Sequence, residues 1–229
     1  MACKVIMKKI IILTLFENPI NELLNFSIIK NAIARKIVEI KIINFRNYSK
    51  NKHKKVDDYQ YGGGPGMVLT LQPIVDAIKK NKKKDMEVIL LSPQGKTYNQ
   101  KMANTFAKSK KDLMFICGHY EGFDARIINF VDHVISIGDY VLTGGELPAC
   151  VIIDSIVRLL DSCITKKSLL NESFNKGLLD YDCYTKPKNF CGYKIPKVLL
   201  SGNHKLIEEF RKKNQIKKTK QLRPDLLKK

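Results

Sequence analysis

The chain lacks the devices that would assign it at once to several common classes. Its six cysteines, Cys3, Cys117, Cys150, Cys163, Cys183 and Cys191, contain no C-x-x-C pair. That spacing disfavours a disulfide frame or a structural zinc site and leaves buried free thiols as the reading. The four histidines, His53, His119, His133 and His204, are scattered, and no metal-ligand cluster is legible. No apolar run approaches the roughly 20 residues that cross a bilayer. The run Ile10 to Phe16 is seven residues long, contains Thr14 and is followed by no small-residue cleavage site. It reads as a first strand rather than a signal peptide, so a cytoplasmic protein with no membrane partner is expected. No G-x-G-x-x-G opens a helix after a strand, which leaves an ordinary dinucleotide site without support. Gly95-Lys96-Thr97 ends like a phosphate-binding loop, but Leu90 stands where G-x-x-x-x-G-K-[ST] requires glycine. A nucleotide triphosphatase is disfavoured.

Arginine is scarce too, with 6 against 35 lysines. The formal net charge of +19 partly reflects that lysine-rich background, so its distribution matters more than its size. Residues 186–229 carry 12 Lys, 2 Arg and 3 acids, a net +11. A basic tail polarised in this way favours a nucleic-acid partner over a merely solvated surface. The 229 residues, 44% hydrophobic and 28% charged, can bury a full core in one large domain with a small appendage.

Apolar runs rich in Ile, Val and Leu recur at Lys9 to Phe16, Glu39 to Phe45, Glu87 to Ser92, Leu113 to Gly118 and His133 to Gly138. Segments with helical spacing lie between them, at Pro19 to Val38, Leu71 to Lys80 and Asn99 to Lys108. Near-continuous apolar strands alternating with helices predict an α/β fold with a parallel sheet covered on both faces. A further helix is expected from Glu146 to Leu160, with Leu147, Val151, Ile152, Ile156, Leu159 and Leu160 as its apolar stripe. The polar segment that follows reads as an exposed, flexible linker. The expected division is a main domain over 1–161, a linker over 162–176 and a small, mostly helical basic domain over 177–229.

The 28 residues from Cys117 to Gly144 combine two strand-like runs, LMFICG and HVISIG, with two polar glycine turns, HYEGFD and DYVLTGGE. Strands that end in such loops are where α/β proteins hold ligands, because glycine permits close backbone approach and positive φ. Two loops of this kind suggest one site. Tyr61-Gly-Gly-Gly-Pro-Gly-Met67 must also be a loop, and Pro65 argues that it is a shaped one. Arg158 is the only arginine in its apolar helix and lies four residues after Asp154, on the same face. Glu172 sits in the polar linker. Taken alone, neither charge exceeds a surface residue.

Together, the strings HKKVDDYQYGGGPGM, LLSPQG, CGHYEGFD, SIGDYVLTGGELPA, IDSIVR, ESFNKGLLDYDCYTKP and PKVLLSGNH, spread from about residue 9 to residue 227, resemble the bacterial tRNA (guanine-N1)-methyltransferase family. The resemblance implies a knotted α/β methyltransferase fold with a trefoil near the cofactor, an exception that no periodicity argument reveals. It implies a homodimer with an active site shared between subunits, S-adenosylmethionine as methyl donor, tRNA as substrate and a magnesium dependence. The product would be methylation of the guanosine immediately 3′ of the anticodon.

By carry-over, the donor would contact Leu91, Ser92 and Pro93 from one loop and Gly118, Tyr120 and Glu121 from the next. Ile137, Gly138, Asp139, Tyr140, Val141, Leu142, Gly144, Gly145 and Pro148 would complete that set. Guanine N1 bears a proton at neutral pH, so methylation needs a base and stabilisation of charge developing on O6. The resemblance gives these roles to Glu172, at a position where the family carries aspartate, and to Arg158. His53, Asp57 and His204 match substrate-binding positions. Leu90 replaces an aromatic and His119 an arginine. A rival reading is a non-catalytic RNA-binding relative in which Glu172 cannot act as base.

Overall fold

Runs of Ile, Leu and Val without polar interruption gain most when both faces are covered. The computed structural model, which describes residues 7–165, 168–169, 172–174 and 176–227, buries them in this way. Strands β1 (Lys8–Thr14), β2 (Val38–Asn44), β5 (Met86–Thr97), β6 (Asp112–Ile116) and β7 (His133–Ser136) form one sheet in the order β2-β1-β6-β5-β7. All four pairings are parallel. Two two-residue strands, β3 (Asp57–Asp58) and β4 (Val68–Leu69), pair antiparallel beside it.

Alternation along each strand sorts the core into two layers. Ile10 and Ile12 of β1 meet Ile20 and Leu24 of α1 (Glu17–Leu24), Ile29 of α2 (Ser27–Ala34), Phe106 of α4 (Gln100–Lys108) and Ile152, Ile153 and Ile156 of α5 (Glu146–Val157). Ile11 and Leu13, one residue out of phase, meet Ile74, Val75 and Ile78 of α3 (Leu71–Asn81), with Phe45. Lys8 is buried at 6% exposure but satisfied: its Nζ donates to the carbonyls of Phe106 and Ser109, each at 2.9 Å, at the C-terminal end of α4. A cation there also complements the helix dipole.

The structure corrects two expectations. The helical spacing from Pro19 to Val38 is two helices and the first residue of β2. Asn25 ends α1 with its N–H on the Glu22 carbonyl, and Ser27 takes φ +48°; asparagine competes poorly for helix interiors and favours such ends. The helix from Glu146 ends at Val157, and the apolar stripe is shifted. Leu147 and Val151 are 52% and 51% exposed, while Ala149, Ile153 and Val157 are fully buried.

The chain forms two compact units, up to Ile164 and from Thr165. The segment expected as a linker falls at this boundary, and its residues 166, 167, 170, 171 and 175 lie outside the described set. The second unit contains a hairpin of β8 (Asn189–Phe190) and β9 (Tyr193–Lys194) and the long helix α6 (His204–Leu222). Thr219, fully buried, accepts the Leu179 N–H at 2.9 Å, and Asp182 holds Asn214 at 2.9 Å and Lys218 at 2.6 Å. Among the described residues no helix is long and apolar enough to cross a membrane.

Candidate active site

A parallel sheet exposes its most variable backbone at the carboxyl ends of its strands, where ligands of open α/β sheets bind. Here the ends of β5, β6 and β7 surround a cleft of about 630 Å³, within the size range of small-molecule sites. The first wall is an outward loop of β5. Leu91 and Lys96 both register with Ile135 of β7, so Ser92 to Gly95 are expelled from the ladder. The second wall follows β6 from Gly118 to Phe123, with Tyr120 at φ +60°, a strained geometry for a non-glycine residue. The third runs from Ile137 to Gly145 and enters α5.

The second and third walls touch. Gly145 N–H donates to the Gly118 carbonyl at 2.9 Å, and a Cβ on Gly145 would stand 2.6 Å from Cys117 Cα and 2.8 Å from Gly118 N. Only glycine fits this approach. The short β3–β4 ribbon is tied to the second wall as well. Leu69 N–H donates to Gly122 O at 2.9 Å, Asp124 N–H to Leu69 O at 3.0 Å and Glu121 N–H to Met67 O at 3.0 Å. Asp57 pairs with Leu69, so it lies one strand away from the cleft loop. The intervening Gly62, Gly63, Gly64 and Gly66 all have positive φ, a conformation few other residues adopt.

Beneath the walls lies a polar chain. Glu146 Oε1 accepts the Thr14 hydroxyl at 2.5 Å, and Glu146 Oε2 lies 2.7 Å from His119 Nε2. Burial, with the Glu146 and Cys150 charges, pushes the Cys117 thiol well above its ordinary range. Tyr98, half-buried and bonded to Ser155 at 2.7 Å, is pushed by desolvation up to about 12.

Against this geometry, the profile of the family described as tRNA (Guanine-1)-methyltransferase TrmD matches residues 7–229. The chain belongs to the tRNA (guanine-1)-methyltransferase family. A tRNA (guanine-N(1)-)-methyltransferase of Malacoplasma penetrans is 62% identical over 218 residues, 95% of this chain and 96% of its own. That of Mycoplasmoides gallisepticum is 53% identical over 224 residues, 95% and 96% of the two chains. That of Spiroplasma kunkelii is 52% identical over 223 residues, 97% and 84%.

In this methyltransferase every residue that the resemblance assigns to the donor lines the cleft except Asp139, which is exposed and outside the lining. The lining also includes Lys96 and His119, and with them Gln94, Thr143 and Ile135, which carry no motif signal of their own in the sequence. Gln94 and the glycine beside it lie within the LLSPQG string, so the missing signal was the strand irregularity that turns this segment outward. Walls of mixed apolar side chains and accessible backbone fit a donor with an adenine edge and an aliphatic arm.

The remaining assigned residues fall in both units. Arg158 is half-buried directly after α5, its N–H donating to Asp154 O at 3.1 Å. His53 is exposed, its N–H on Asn51 Oδ1 at 2.8 Å in the loop before β3. Glu172 and His204 belong to the second unit. Glu172 is half-buried at the start of a turn in which Phe174 N–H donates to Leu178 O at 2.7 Å and Ser173 Oγ accepts Asp180 N–H at 2.9 Å. His204 is exposed and opens α6 behind the Asn203 cap. Among the described residues no group of three or more His, Cys, Asp or Glu side chains could hold a metal ion.

Proposed function

We propose that the protein transfers a methyl group from S-adenosylmethionine to N1 of the guanosine immediately 3′ of the tRNA anticodon, position 37. The observation that carries this reading is the three-walled cleft at the carboxyl ends of β5, β6 and β7, lined by the donor-assigned loops of a chain in the tRNA (guanine-1)-methyltransferase family. When bound, S-adenosylmethionine supplies an electrophilic sulfonium methyl group. The glycine-rich loops of the second and third walls bring main chain close to the cleft, where backbone N–H and C=O groups would read the adenine edge.

Glu172 takes the N1 proton of guanine, raising the nucleophilicity of the nitrogen, and Arg158 stabilises negative charge growing on O6. Glutamate reaches further than aspartate by one methylene. Asp57, His53 and His204 contact the tRNA. The reading includes a trefoil crossing near the cleft, where β5 pairs with β7 on both sides of its expelled loop. It also includes a homodimer that supplies the donor site and the tRNA-facing residues from different subunits. The exposed Leu147 and Val151, one helical turn apart on α5, give the first unit an apolar strip that favours such an association.

Single-turnover transfer tests these roles. Glu172→Gln and Arg158→Ala should each slow formation of 1-methylguanosine by about 10²-fold, in the range for general-base and charge-stabilising groups. Donor affinity should stay within about twofold. An equal loss of donor affinity and rate would refute the roles, and no 1-methylguanosine from the wild-type chain would refute the reaction.

A further inference from the structure

Glu146 is a buried carboxylate, 7% exposed, to which the chemistry above gives no task. A carboxylate withdrawn from water is tolerated only when hydrogen-bonded. Glu146 meets that condition, with Thr14 on one oxygen at 2.5 Å and His119 on the other at 2.7 Å. It is also the first residue of α5, where the helix dipole favours an anion. Thr14, fully buried, accepts the Phe16 N–H at 2.9 Å, and the Phe16 ring lies edge-on to His119 at 4.7 Å.

These contacts join three separate pieces of chain: the end of β1, the second wall and the entry to α5 from the third wall. His119 stands between Gly118 and Tyr120, both in the cleft lining. A Cβ on Gly144 would come within 2.4 Å of His119 Cε1 and 2.6 Å of Glu146 Oε2, so the walls are packed to contact where the chain of bonds crosses them. The hydrophobic layers do not include these three side chains.

We propose that Thr14, Glu146 and His119 are positioning residues that latch the second wall to the third and thereby set affinity for the methyl donor. The inference rests on the donor site proposed above. The latch acts through Gly118, Tyr120 and Gly145 rather than by touching the reacting atoms. Its loss widens the cleft entrance while the sheet and its two layers persist.

The test combines calorimetric titration of S-adenosylmethionine with hydrogen exchange of the ligand-free protein. Variants Glu146→Gln, His119→Gln and Thr14→Val, with Thr14→Ser as the conservative control, cover both ends of the chain. Glu146→Gln, His119→Gln and Thr14→Val should weaken donor binding about tenfold, the worth of one hydrogen bond to a charged group. They should speed exchange at residues 118–122 and 144–145, leaving β1 to β7 protected and tRNA affinity unchanged. Thr14→Ser should behave as wild type. Donor affinity within twofold of wild type in His119→Gln and Glu146→Gln would overturn the latch. So would faster exchange spread evenly over the sheet with Thr14→Ser as impaired as Thr14→Val, which marks a purely structural role. Wild-type protein that binds no donor in the same titration would remove the donor-site reading, and the latch with it.

Discussion

Burial raises the Cys117 thiol well above its ordinary range and brings Cys150 up to about 11, with desolvation as the main cause in both. A raised thiol holds less thiolate at any pH below its titration, and the thiolate is the reactive form. Cys183 and Cys191 are exposed. Limited alkylation of the folded protein at pH 8, read by peptide mass spectrometry, should label Cys183 and Cys191 first. Cys117 and Cys150 should react only with denaturant present, and early labelling of Cys117 would contradict its placement beneath Gly145. Arg158 and Glu172 read individually as surface charges, because the roles proposed for them, a general base and a charge-stabilising arginine, need no distinctive local pattern.

At the scale of elements, the exposed part of α5 makes the most pointed prediction. Leu147 and Val151 leave half their surface uncovered while Ile152, Ile153 and Ile156 fill the core. Leu147→Glu or Val151→Glu should therefore leave thermal stability within about 0.5 kcal/mol, as expected of surface substitutions, yet shift the proposed dimer to monomer in sedimentation. An unchanged oligomeric state would remove this face from the interface. Four of the five parallel strands were legible from near-continuous apolar runs, and β2, interrupted by Glu39 and Lys41, from its alternation of Val38, Ile40 and Ile42. The break at Asn25 and the phase of α5 were not legible. Helical spacing marks that a face is apolar without saying which partner covers it, so Leu147 and Val151 read as core although the monomer leaves them open. The cleft's glycine loops were visible in CGHYEGFD and DYVLTGGE, but the latch under them was not, since Thr14 and Glu146 are separated by 132 positions and share no periodic signal.

For the whole molecule, charge decides the expected behaviour toward a polyanion. The last 44 residues hold +11 of the net +19, and α6 carries Lys205, Arg211, Lys212, Lys213, Lys217, Lys218 and Lys220. Lys218 is committed to Asp182 at 2.6 Å, whereas Lys212 and Lys213 are exposed. Phosphate contacts release counterions, so affinity for tRNA should fall steeply with salt. Replacing Lys212 and Lys213 together by Glu should weaken tRNA binding at least tenfold, flatten the salt slope and leave donor affinity unchanged, read by filter binding beside calorimetry. An unaltered slope would move the tRNA contact off this helix.

The proposed reaction takes place at one atom of one nucleotide. Transfer of labelled methyl from S-adenosylmethionine should be measured on a tRNA transcript with guanosine 3′ of the anticodon, beside the same transcript with adenosine there. Label should enter the guanosine transcript alone and be recovered as 1-methylguanosine. Equal labelling of both transcripts, or none in either while the donor binds, would contradict the proposed reaction.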